Sequence, residues 1–386
     1  MGKQAYPLSI SPLLGGESRL LLITNDYPPD TGGVAWYYAN LAALRQAQGD
    51  KIDVLKLGKW TMTPLWPLMV IPIILRSVRA IHESPLPFYW WVGQVLPVGT
   101  VVWLLSFVWR KPYIVSTHGM DILLPLKSGR KRWLVGKILE RASLITTNSQ
   151  WTKRKIIENY TKYPSPAAST VIPAEAGIQI KQKKRFSFFS GSPIRSGMTS
   201  ERGLSDKIIV IYPEPKPKRN MPQEEVNALR LKLGIPESAK VLLTVSRLVK
   251  RKGIDRVLAA LPEAWKRIPD VHYMVVGDGD ERSQLSVISY QLSGGDKVHF
   301  VGKVSDKELP VYYAMADAFI LLPREVNGDA EGFGIVYLEA NQYGLPIIAT
   351  KSGGTEEALE MCQRVTVINN PDHAKDVAQA LWEQFR

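Results

Sequence analysis

Short apolar runs alternate with longer amphipathic stretches along most of the chain. Residues 19–25 (RLLLITN) are an apolar run closed by a polar residue, and the turn-rich DYPPDTGGV follows; 35–48 then reads as a helix and 52–57 as the next strand. Further strands are predicted at 112–117, ending in HGMD, and at 143–148. The second half repeats this order, with strands at 240–246, 272–277, 298–301, 318–322 and 346–350. Helices are predicted at 253–265, 281–292, 307–315 and 334–343. Such alternation predicts α/β architecture: two Rossmann-like, doubly wound parallel-sheet domains. In open sheets of this kind ligands gather at the carboxyl ends of the strands, where the polar loops fall.

The expected organisation is an N-terminal domain over 1–205, a linker over 206–235 and a C-terminal domain over 236–386. The proline- and charge-rich YPEPKPKRNMP suits the linker. Residues 171–203 carry no usable period, and their glycine, serine and basic residues indicate a loop. This stretch resembles the translated palindromic repeats of bacterial genomes, which often read VIPAEAGIQ, and is taken as a tolerated surface insert. Two apolar stretches are candidates for membrane spans. Residues 67–75 are too short and contain Pro72, while 92–109 are interrupted by Gln94, Pro97 and Gly99. A strand and a helix buried in an α/β domain account for the second. The opening MGKQAYPLSISPLLGG lacks the apolar core of a signal peptide, so a cytoplasmic protein is expected.

Composition narrows the function classes. A length of 386 residues suffices for two to three domains, and a single cysteine, Cys362, excludes an internal disulfide framework and fits a small buried hydrophobe. The net charge is +13, and residues 1–165 hold 20 Lys and Arg against nine Asp and Glu, with nine of the eleven tryptophans. A basic, tryptophan-rich half suits nucleic acid or an anionic membrane surface. No helix-turn-helix, zinc-finger or RNA-binding signature is present, so the membrane surface is expected and nucleic acid is not. The helix-like stretch 127–142 sets Trp133, Leu134, Ile138 and Leu139 among five basic residues from Arg130 to Arg141. It reads either as a helix lying on anionic lipid or as a solvated face covering the core.

The strongest chemical signal is EGFGIVYLE at 331–339. Glu331 and Glu339 stand about two helical turns apart in this pattern, near one face of a helix, where both offer acceptors to sugar hydroxyls. Gly332 and Gly334 permit close backbone approach, and the amides of Phe333, Gly334 and Ile335 at a helix start offer phosphate binding. SRLVKRKG at 246–253 adds Arg247 and Lys252, a pair able to clamp a diphosphate. VGDGDE at 276–281 lacks the order of a dinucleotide fingerprint.

Taken in order, PPDTGGV, THGMD, SRLVKRKG, VGDGDE, VHFVGKV and EGFGIVYLEA followed by GG resemble the retaining glycosyltransferases of family 4. The resemblance covers 19–165 and 205–375, and its nearest flavour is the bacterial mannosyltransferases of phosphatidylinositol and polysaccharide lipids. It implies the GT-B architecture, in which two domains face across a cleft. It implies that Arg247 and Lys252 hold the donor diphosphate, Glu331 the transferred sugar and Glu339 the ribose. Gly32 and Gly33 would close over donor phosphate and acceptor, His118 would sit beside the sugar, and Gly302, Lys303 and Val304 would line the base. The catalytic candidates are therefore His118, Glu331, Arg247 and Lys252, with no protein nucleophile nominated. Asp278 and Asp280 suggest a metal, yet the architecture implies none, nor any cofactor beyond a nucleotide sugar as co-substrate, with GDP-mannose the named donor. The acceptor is expected to be lipid-linked or saccharide, and the enzyme peripheral on the inner face of the cell membrane.

Two departures from the family stand out. Residues 212–215 lack the usual asparagine and glycine of the interdomain turn, and the chain ends at Arg386, short of a helix that usually crosses back to the first domain. The C-terminal domain is thus expected to be truncated and its closure impaired. A relic that folds without turnover is the alternative expectation.

Overall fold

A computed structural model describes residues 17–30, 32–57, 71–72, 74–75, 78, 86–161 and 203–386. Among them the first half forms β1 (Arg19–Thr24), α1 (Gly33–Ala47), β2 (Lys51–Lys56), β3 (Phe88–Val92), α2 (Val98–Trp109), β4 (Tyr113–Thr117), α3 (Met120–Leu123), α4 (Gly129–Arg141), β5 (Leu144–Thr147), α5 (Gln150–Tyr160) and β6 (Ile208–Val210). The second half forms α6 (Gln223–Lys232), β7 (Lys240–Val245), α7 (Ile254–Trp265), β8 (Val271–Val276), α8 (Arg282–Tyr290), β9 (Val298–Gly302), α9 (Leu309–Met315), β10 (Ala318–Leu321), α10 (Ile335–Gln342), β11 (Ile347–Ala349), α11 (Thr355–Glu360), β12 (Val365–Val367) and α12 (Ala374–Phe385).

Two parallel six-stranded sheets result, ordered β2-β1-β3-β4-β5-β6 and β12-β11-β10-β7-β8-β9. Helices cover both faces of each sheet, so the central strands are buried on both sides, while the edge strand β2 (KIDVLK) alternates with polar residues. In FYWWV of β3, Trp90 packs into one core cluster and Trp91 into the cluster on the opposite face. In the second sheet Leu243, Phe319 and Ile347 face one cluster, while Leu242, Ile320 and Ile348 face the other. Counted from its own first strand, the second sheet has the Rossmann order 3-2-1-4-5-6. Its strand order reverses between β7 and β10, and that of the first sheet between β1 and β3. A crevice opens at each of these points. The architecture is two Rossmann-like domains, as the alternation of elements predicts.

Several details differ from expectation. Within 92–109 the helix begins only at Val98, the strand precedes it at 88–92, and the stretch is not wholly buried: Leu104, Phe107 and Val108 face outward. The stretch 206–235 contributes β6 to the first sheet and α6 to the second core, where Val226 and Leu229 are buried. The stretch 212–215, which lacks the usual turn residues, is fixed by side chains instead. Glu214 accepts from Trp36 Nε1 through its carbonyl and from Asn40 Nδ2 through its carboxylate, both at 2.9 Å. The insert lies outside the described residues apart from Gly203, as do Thr31 and most of 67–75. No described helix is long and apolar enough to cross a membrane.

Candidate active site

The site forms at the β7/β10 reversal of the second sheet, where two loops meet. After β7, a single 3₁₀ turn at Lys250–Lys252 directs Arg251 and Lys252 inward, leaving them 6% and 7% exposed. After β10, Val326 and Asp329 exchange two 2.9 Å backbone hydrogen bonds around Asn327 and Gly328, both at positive φ (52° and 75°). An Asn-Gly pair is the sequence that such a tight reversal favours. The reversal returns Asp329 and Glu331 over the basic turn. Arg251 Nη1 donates to Glu331 Oε2 at 2.5 Å, Lys252 Nζ donates to the same oxygen, and Arg251 Nε lies 3.1 Å from Asp329 Oδ1.

Electrostatics follow from this packing. Burial alone raises the Glu331 carboxyl, but Lys252 and Arg251 override it and hold the group at about 2. Burial lowers Lys252, and Glu331 opposes that shift. Arg247 stands exposed at the mouth, where its charge acts on Lys252, on Asp329 and on Asp26 of the first half. The two loops alone set three cations against two carboxylates, an excess of one positive charge that Asp26 of the first half faces across the crevice. An anion is favoured there.

The loop then passes into α10, with Gly334 in left-handed conformation as N-cap. Among the described residues the amides of Phe333, Gly334 and Ile335 donate to no protein acceptor. Free amides at a helix start bind anions. Gly332 packs tightly against the first half: a Cβ placed on it would lie 2.3 Å from the His118 carbonyl oxygen. A Cβ on Gly33, at the start of α1 beside its cap Gly32, would lie 3.2 Å from Ile335 Cγ2. The two halves also meet where Glu357 of α11 accepts from the amides of Gln150 and Trp151, at 2.6 and 2.7 Å, at the start of α5.

His118 follows β4, with its ring edge-on to Tyr37 and Tyr38. Its Nε2 is 2.7 Å from the Tyr38 hydroxyl, whose single proton goes to the Gly93 carbonyl. Nε2 must therefore carry the proton, and Nδ1 is left as an acceptor. Burial lowers His118 to about 4, which keeps it neutral near pH 7.

The two carboxylates do not share a helix as their spacing predicts. Glu331 precedes the helix and lies in the loop, so only Glu339 projects from α10. Glu339 is buried, and its Oε2 accepts from the Tyr313 hydroxyl at 2.8 Å; burial raises it, while that hydrogen bond and then Lys216 oppose the shift. Gly302 ends β9, Lys303 is exposed with its charge felt by Asp30, and Val304 packs on the second core. Phe333 is buried against Tyr212. Arg251, Asp329 and Tyr38 were missed. The NG dipeptide at 327–328 signals the turn that brings Asp329 in, whereas nothing local marks Tyr38.

On the outer face of the first half, α4 splits its apolar residues. Ile138 and Leu139 are buried in the core, while Trp133 is 60% exposed. A shallow apolar groove there is lined by Gly129, Arg130, Trp133 and Leu134. Arg141 ties α4 to α2, donating from Nε to Ser106 Oγ at 2.6 Å with its guanidinium 4.0 Å above the Phe107 ring.

The family described as Glycosyl transferases group 1 matches residues 225–383. A GDP-mannose-dependent α-(1-6)-phosphatidylinositol monomannoside mannosyltransferase of Mycolicibacterium smegmatis is 26% identical over 92% of this chain and 86% of its own length. An α-monoglucosyldiacylglycerol synthase of Streptococcus pneumoniae is 36% identical, over 33% of this chain and 28% of its own. Among solved structures, Anabaena HepE in complex with UDP and glucose superposes with a TM-score of 0.61 at 20% identity, covering 95% of this chain and 89% of that one. The chain is a glycosyltransferase with the GT-B fold, and its residues 225–383 are similar to Glycosyl transferases group 1.

Proposed function

We propose that the enzyme moves a hexose, with mannose from GDP-mannose as the first choice, onto a lipid-linked or saccharide acceptor with retention of anomeric configuration. The observation that carries this reading is the meeting of Arg247, Arg251, Lys252 and Glu331 with free helix-start amides beside His118 and Gly33. In this reading residues 1–205 present the acceptor, 206–235 link the domains and 236–386 hold the donor. Arg247, Lys252 and the amides of Phe333, Gly334 and Ile335 take the diphosphate, while Glu331 Oε1 and His118 Nδ1 take sugar hydroxyls. Glu339 faces the ribose, and Gly302, Lys303 and Val304 the base. As the bond from C1 to phosphate oxygen breaks, the acceptor oxygen bonds C1 from the same face and its proton passes to the departing phosphate. The charge that develops there falls among fixed cations and amides. No metal or cofactor is assigned.

The membrane side of the reading rests on α4. Arg130, Lys131 and Arg132 crowd the positive end of that helix, an arrangement that costs about 0.3–1 kcal/mol per charge without counter-anions. Anionic headgroups supply them, and Trp133 with Leu104, Phe107 and Val108 offers apolar contact. The enzyme is then peripheral on the inner face of the cell membrane.

Thermal stabilisation across GDP-mannose, UDP-glucose and the bare nucleotides tests the donor; a ligand at 100 times its Kd adds about 2.7 kcal/mol. Transfer from the stabilising donor to a phosphatidylinositol acceptor, lost in Glu331→Ala, tests the activity. Binding without transfer or hydrolysis would leave the relic as the better description.

A further inference from the structure

We propose that Arg251 is the positioning residue for Glu331, holding that carboxylate for the donor sugar when Lys252 turns to the diphosphate. The inference deepens the reading of this site as a nucleotide-sugar pocket and rests on it. Both cations meet one oxygen, Oε2, and among the described residues Oε1 has no protein partner. One face of the carboxylate is thus gripped and the other presented. Lys252 faces two demands, because the ammonium that pairs with Glu331 is also the one within reach of a diphosphate at the same crevice. A single flexible ammonium cannot satisfy both at full strength.

Arg251 faces one demand. Its guanidinium is buried, its Nε is 3.1 Å from Asp329, and its carbonyl accepts from the Arg324 amide at 2.8 Å. These contacts tie it to the loop that carries Glu331, so it moves with the carboxylate. The guanidinium hydrogen-bonds Glu331 through Nη1 and forms an ion pair with Asp329, so it holds the carboxylate by position as well as charge. With Arg251 present, donor binding can draw Lys252 away while Glu331 stays ionised and aimed. Without it, Glu331 is held by a partner that the donor itself removes.

The test separates sugar recognition from nucleotide recognition. Titration calorimetry with GDP-mannose and GDP, and with UDP-glucose and UDP, is run on the parent and on Arg251→Gln, Arg251→Lys and Asp329→Asn. Arg251→Gln should weaken the nucleotide sugar about tenfold or more and the bare nucleotide less than about twofold. Arg251→Lys should recover part of the loss, and Asp329→Asn should show the same split in smaller measure. Should Arg251→Gln fail to fold, the other two variants decide. Equal losses for sugar donor and nucleotide would overturn the proposal, as would no loss for either. A parent that binds neither nucleotide sugar would instead defeat the donor-site reading on which the proposal rests.

Discussion

Gly332→Ala is a one-methyl perturbation aimed at domain closure. The added Cβ would sit 2.3 Å from the His118 carbonyl oxygen and 3.0 Å from Asn148 Nδ2. Contacts below 3.0 Å are essentially never tolerated, so the backbones must part by roughly an ångström. The His118 carbonyl cannot yield easily, because it accepts from Asn148 Nδ2 and precedes the Gly119 that caps α3. Relief comes from opening the cleft, which displaces Glu331 and the α10 amides from His118 and Gly33. A misplacement of about 1 Å at the reacting centre costs on the order of 100-fold, or about 2.7 kcal/mol. Each sheet keeps its own core, so the melting midpoint should fall by no more than about 3 °C. The assay is transfer from GDP-mannose beside calorimetric titration of GDP. Transfer should fall about 100-fold while nucleotide affinity holds within about threefold. Transfer within about threefold of the parent would refute the claim that this contact sets the working geometry.

Glu331→Gln leaves Arg251 and Lys252 short of a charge, and should lower stability by about 3–5 kcal/mol by denaturant titration as well as abolish transfer. Glu339→Gln keeps an acceptor for Tyr313, so its stability cost should stay within about 1 kcal/mol. Burial holds His118 and His299 at about 4 against an ordinary 6.5, so between those values only the unfolded chain takes the proton. Stability should therefore fall as pH drops from 6.5 toward 4, by about 1.4 kcal/mol per unit for His118 and by less for the partly exposed His299, and His299→Asn should flatten the slope measured by denaturation. Replacing Arg130, Lys131 and Arg132 by glutamate should abolish sedimentation with anionic vesicles and leave donor affinity unchanged; undiminished sedimentation counts against the membrane face.

The sequence made the strand ends legible because parallel strands buried on both faces read as unbroken apolar runs, and the loops after them carry the polar residues. RLLLITN, KVLLTVS and the polar segments behind them were placed within a residue or two. The helical phase of EGFGIVYLE was less legible. Periodicity puts Glu331 and Glu339 on one face, but Gly334 adopts a left-handed cap that starts the helix after Glu331. Arg251 escaped notice for a related reason: within KRK every residue looks solvated, and only the 3₁₀ turn decides which side chains point inward. The Tyr38 contact with His118 joins positions 80 apart, and no local pattern records such a pair.

The two reversal points explain why chemistry assembles at this cleft and not on either domain alone. The β7/β10 crevice supplies cations and free amides, enough to grip a diphosphate, yet its carboxylate has one oxygen already occupied by Arg251 and Lys252. The first half supplies what is missing: an uncharged acceptor in His118 Nδ1, fixed by Tyr38 and Gly93, and a glycine turn at the start of α1 that meets Ile335. A cation at His118 would oppose the positive charge that builds on the sugar ring as its bond to phosphate breaks. In the proposed reaction, burial that keeps this imidazole neutral would therefore favour transfer, although it lowers stability in acid. The rings that enclose this imidazole, Tyr37 and Tyr38, belong to the first half, so acid pH should weaken transfer by charging the acceptor and an opened cleft by moving it away from Glu331.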